Sequence, residues 1–188
     1  MAKKKKVVNE IRPTPGKNDI SMKTADKTNF MQLPKSRHKP AAGDIFAGSI
    51  LGERWVIGRV IRSGFAHGTA SNCLLLYLYR LQVPDLQKIE TPLLPDLLIP
   101  PFFMLSNMLW TRGMVVHVRN APLHTREVLP RHVFRSMTMH EYVDEEGEPV
   151  EPPEPGEVVG KDCFRGWGSL DDEVSGALGV PLHPVRAN

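Results

Sequence analysis

The residues of this chain that could do chemistry are its carboxylates, its histidines and its two cysteines, and their spacing limits what they can do. The densest set is acidic: Glu141, Asp144, Glu145, Glu146, Glu148, Glu151, Glu154 and Glu157 fall in a stretch without a single Lys or Arg. Pro149, Pro152, Pro153 and Pro155 keep that stretch extended, so no helix absorbs its like-charge repulsion. Asp144-Glu145-Glu146-Gly147-Glu148 has the composition of a turn between strands, with Gly147 supplying the permissive backbone. A solvated loop has the same composition. If the stretch has a partner, that partner is cationic, and Asp144, Glu145, Glu146 and Glu148 are its expected contacts.

The histidines stand scattered at 38, 67, 117, 124, 132, 140 and 183, where only proximity after folding could assemble a site, and His117 has no second His, Cys or carboxylate at a partner spacing. His117 lies in the alternating run Gly113 to Arg119, where Met114, Val116 and Val118 face the core and His117 and Arg119 face water. His124, Arg126, Arg131, His132 and Arg135 read as one positively charged surface loop over 121–135. Cys73 and Cys163 form no disulfide framework and are expected as incidental thiols. Asp171 and Asp172 are adjacent, so they point apart and make no acid/base dyad. No phosphate-cradling glycine pattern, zinc-protease helix or serine elbow is present. The expectation is therefore a protein that is not an enzyme, with no catalytic residue, no metal ligand and no cofactor.

The formal charge of +3 hides a division. Residues 1–40 hold eleven Lys or Arg against three acids, about +8, and residues 41–188 hold thirteen against eighteen, about −5. Lys3, Lys4, Lys5 and Lys6 could attract nucleic acid, although no aromatic residues interleave with them. Residues 1–42 carry four prolines among polar residues, and read as a basic, flexible tail pinned at most by Phe30, Met31 and Leu33. No signal-peptide core follows the lysines, and the apolar stretch from Leu93 to Leu109 is broken by prolines, so a cytoplasmic protein without a membrane segment is expected.

The elements that must position these residues are mostly strands. Gly43 to Leu51 and Arg54 to Arg62 read as a hairpin turning at Gly52-Glu53, followed by a small-residue loop at 63–72. Leu74 to Tyr79, apolar on both faces and ended by Arg80, should lie mid-sheet. Prolines make 83–101 an irregular connection, and Pro101 to Trp110 an edge segment or helical turn. Phe134 to Val143 reads as one strand. A helix should start at the N-cap Ser169, present Leu170, Val174, Ala177 and Leu178 to the core, and stop at Gly179, with Trp167 in the turn before it. The class is mainly β (α+β), a small SH3-like twisted antiparallel sheet or partly open barrel with one short C-terminal helix. The domain spans 43–180, with 181–188 as a second tail.

The opening Gly43-Asp44-Ile45-Phe46-Ala47 with Gly58-Arg59-Val60 resembles the Gly-Asp-Ile-Phe-Ala … Gly-Phe-Gly-Arg-Val pattern of the immunity protein 26 family of bacterial polymorphic toxin systems. Leu74 to Tyr79, the Val-rich run after Gly113, Tyr142 before an acidic glycine turn and a closing helix follow in the family's order. The resemblance covers about 39–180, and implies structural roles for Gly43, Asp44, Phe46, Gly58 and Arg59. It implies a protein that binds a cognate toxin and blocks it. Charge suggests a basic toxin such as a nuclease. The alternative function is a nucleic-acid or ribonucleoprotein accessory anchored by the lysine tail.

Overall fold

A computed structural model describes residues 24–25, 27–52, 54–137 and 141–185; the lysine cluster at 3–6 lies outside them. Strands β1 (Asp44–Ile50) and β2 (Arg54–His67) form the expected hairpin, with Ile50 opposite Arg54. Leu51 and Gly52 turn it, both with positive φ. The expected loop at 63–72 is instead strand: β2 runs to His67 and β3 (Ala70–Val83) starts after a tight turn. Bulges explain the difference. The β2/β3 register shifts between Ser63 and Phe65 and again between Phe65 and His67, which lets a small-residue, glycine-containing segment stay paired while it bends. Arg80 likewise does not end β3.

Strand β4 (Leu97–Leu105) pairs with β3, and β5 (Val116–Asn120) with β1, giving the order β4-β3-β2-β1-β5. The sheet is open at β4 and β5, and no closed barrel forms. Part of the proline-rich 83–101 segment is therefore strand, which its edge position permits because a missing N–H can face outward there. The chain then makes one helical turn, α1 (Met108–Thr111), which buries Trp110.

A second sheet contains β6 (Val133–Ser136), β7 (Tyr142–Val143), β8 (Pro149–Val150) and β9 (Val159–Asp162), in the order β8-β7-β6-β9. Phe134 faces Val143 across the β6/β7 pair, so the single strand expected over 134–143 is two strands folded back on each other. Helix α2 (Trp167–Leu178) starts earlier than Ser169. Gly166 occupies the N-cap, and Ser169 Oγ donates to the Gly166 carbonyl. Gly179 ends the helix at φ 68°, as expected.

The five-stranded sheet is the middle of three layers. Phe46, Val56, Val60, Leu74, Leu76 and Leu78 point to one side, where Phe30, Trp110, Leu170 and Val174 cover them. Ile45, Ile57, Leu75, Tyr77 and Tyr79 point to the other, against Phe134 and Val143 of the second sheet. The period-2 alternation of β3 is thus read by two different cores.

Residues 27–42 belong to this body, which corrects a domain start at 43. Asn29 N–H donates to Asp171 (2.8 Å), and Asn29 Nδ2 reaches Ser175 Oγ (2.9 Å) and the Pro181 carbonyl (2.8 Å). Phe30 bridges to Ile50, Leu33 N–H donates to the Gly113 carbonyl and Ser36 N–H to that of Trp110. The entropy argument for a tail fails here because one aromatic and a run of backbone hydrogen bonds have a ready-made groove.

Candidate functional site

The acidic turn is built from its own backbone outward. Asp144 Oδ1 accepts from Glu146 N–H (2.9 Å) and Glu148 N–H (3.0 Å), and Asp144 N–H donates to the Glu148 carbonyl (2.9 Å). Its side chain therefore closes the turn. Glu145 points inward: His132 Nδ1 lies 3.1 Å from its Oε2, and that contact holds its carboxyl below the usual range, against the opposing effect of burial. His132 Nε2 continues to the Tyr77 hydroxyl (2.5 Å), a phenol that burial pushes up to about 12. Arg62 pairs with Glu146. His67 fixes the turn from below, with Nδ1 2.9 Å from the Glu145 carbonyl oxygen and Nε2 2.6 Å from Asp162.

Of the four expected contacts, the structure thus gives Asp144 and Glu145 internal partners, leaves Glu148 exposed, and leaves Glu146 exposed with Arg62 as its ion-pair partner. Glu141, Glu151 and Glu154 are exposed beside them. Arg131 closes the far end of the segment, with Nε and Nη2 each 2.6 Å from one oxygen of Glu157.

Gly43 and Asp44 open a second centre. Gly43 at φ 88° brings its backbone so near β5 that a Cβ would lie 2.3 Å from the Ala121 carbonyl oxygen. That turn delivers Asp44, whose side chain is 3 % exposed. Asp44 Oδ2 accepts from Ala41 N–H (2.9 Å) and lies 2.7 Å from His38 Nε2, while Oδ1 accepts from Asn120 Nδ2 (2.8 Å) and lies 3.3 Å from His117 Nε2. Burial alone would raise this carboxyl. The hydrogen bonds from Ala41, Asn120 and His38 outweigh it and hold the carboxyl below its ordinary value. Burial and the neighbouring His38 lower His117.

Arg59 and Glu127 form a third centre, an ion pair at 2.8 Å with both side chains 0 % exposed. Arg59 also donates to the Ala121 and Pro122 carbonyls (3.1 and 2.9 Å), and Glu127 accepts from Leu93 N–H (2.6 Å) and His124 N–H (2.8 Å). The pair ties β2 to the 121–128 connection. Gly58, beside Arg59, leaves room for Phe46: a Cβ there would lie 2.2 Å from the ring. Cys73 is a buried thiol and Cys163 a half-buried one.

No protein-family model matches this chain, and no curated protein or solved structure matches it significantly.

Sequence reasoning missed two sets of residues. His132 was expected on a surface loop and is buried against Tyr77, and no local signal marks that, since its partners come from β3 and the acidic turn. His117 was expected to face water without partners, but β5 sets it beside Asp44 and His38. The short spacing of His38 and Asp44 across a Gly43 turn was a usable sign. The third member depends on strand pairing at long range and carried none.

Proposed function

We propose that this protein is a non-catalytic immunity protein that binds a cognate bacterial toxin in the cytoplasm and neutralises it through its acidic segment. The observation that carries this reading is the segment 141–157 itself: no Lys or Arg interrupts it, and Glu141, Glu146, Glu148, Glu151 and Glu154 are exposed along it. The hydrogen bonds of Asp144, Glu145 and Glu157 hold the segment in shape before any partner arrives, which reduces the ordering cost of association. A basic toxin, such as a nuclease with a cationic substrate cleft, would be steered to it. The resemblance at Gly43 to Ala47 and Gly58 to Val60 supports the same role.

The test uses the full chain as bait in its native extract, followed by purification of any basic protein retained in stoichiometric amount. The quadruple variant Glu146→Gln/Glu148→Gln/Glu151→Gln/Glu154→Gln leaves Asp144 and Glu145 in place. It should slow association about tenfold or more and flatten its dependence on salt. Unchanged association removes the acidic segment from the mechanism. Material that disappears on nuclease treatment would instead favour a nucleic-acid accessory.

A further inference from the structure

The geometry points to a metal site: we propose that His38, Asp44 and His117 together bind one divalent transition-metal ion, with Zn2+ as the reference ion. Two imidazoles and one carboxylate form a donor set suited to zinc and its neighbours, whereas Ca2+ and Mg2+ take oxygen ligands. One ligand atom from each residue lies within 4.8 Å of the others. The distances to Asp44 are 2.7 Å from His38 Nε2 and 3.3 Å from His117 Nε2. Donors at about 2.0–2.1 Å from a tetrahedral zinc are roughly 3.3–3.4 Å apart, so both Asp44 contacts are already within about 0.7 Å of that spacing, and the third side needs at most about 1.5 Å of closure shared between two side chains.

The three side chains are also aimed. They come from three segments, the 33–42 strap, β1 and β5: His117 is placed by the pairing of its β5 position with Phe46 of β1, and His38 and Asp44 have contacts beyond the cluster. The His38 carbonyl accepts from Asn107 Nδ2 (2.9 Å), and its ring sits 5.9 Å from that of Trp110. Asp44 is held by Ala41 N–H and Asn120 Nδ2, the outer hydrogen bonds a ligating carboxylate needs. The two imidazoles lie 4.2 Å apart with both Nε2 atoms turned to one carboxylate. The carboxylate is buried, while the His38 and His117 side chains are 24 % and 32 % exposed. An ion therefore has an entry path and room for a solvent ligand on the outer side. Bound there, it would fasten the strap to both β1 and β5, a role independent of the acidic segment on the second sheet.

The experiment is calorimetric titration of ZnCl2 into the untagged, chelator-treated full chain, repeated with Co2+ to read its visible absorption. The test variant is His38→Gln/His117→Gln, which keeps amide donors near Asp44 and removes both imidazoles. His124→Ala/His183→Ala is the control for adventitious histidine binding. The wild type and the control should bind one Zn2+ per chain and gain thermal stability from it. The test variant should lose more affinity than the ~10–100-fold that outer-shell changes cost, with no Co2+ spectrum. No saturable site in the wild type, or equal affinity in the folded test variant, overturns the proposal and leaves a hydrogen-bonded cluster.

Discussion

Arg59→Met is the most demanding perturbation, because it keeps the apolar stem and removes the cation paired with a fully buried carboxylate. Glu127 and Arg59 are both 0 % exposed and 2.8 Å apart, so water cannot replace the lost partner. Breaking a buried pair on one side costs about 3–5 kcal/mol. At roughly 2–4 °C per kcal/mol for a chain of this size, the melting temperature should fall by about 6–20 °C. Urea melts at pH 7 followed by circular dichroism would read the free-energy loss. Arg59→Met/Glu127→Gln should recover part of it, with a coupling of about 0.5–3 kcal/mol, since the amide removes the stranded charge and keeps an acceptor for one of the Leu93 and His124 N–H groups. A loss below ~1 kcal/mol, or a double variant no better than the sum of the singles, would refute the account of Arg59 as charge partner.

Two further outcomes follow from the same structure. Asn29→Ala removes both side-chain hydrogen bonds to α2 and the 181 carbonyl, and should cost about 1–3 kcal/mol and raise proteolytic cleavage within 24–42; a variant as resistant as wild type would detach Asn29 from holding that segment. Glu145 has a lowered folded pKa, so its contribution is present above the unfolded carboxylate pKa and is lost as pH falls through the lower folded value. Glu145→Gln should flatten the stability profile in that acid window, and an unchanged profile from pH 5 to pH 2 would contradict the His132 contact as its cause.

What the sequence determined by itself is local. The β1/β2 hairpin, the two-faced β3, the acidic turn with Gly147 and the Gly179 helix stop are each written in a few neighbouring residues, because backbone preference and period-2 alternation act over that range. Charge asymmetry also needs no fold to be seen. The elements misread were those whose environment comes from elsewhere in the chain. The 63–72 segment looks like a loop until a bulged partner strand pairs it, and Asn29 looks like tail until α2 offers Asp171 and Ser175. Ser169 was a plausible cap, but packing of Trp167 against the core begins the helix earlier. The candidate centres depend most on tertiary structure. Arg59 meets Glu127, and Asp44 meets His117, only when antiparallel strands and their connections bring residues some seventy positions apart into contact, and nothing in local composition encodes that meeting.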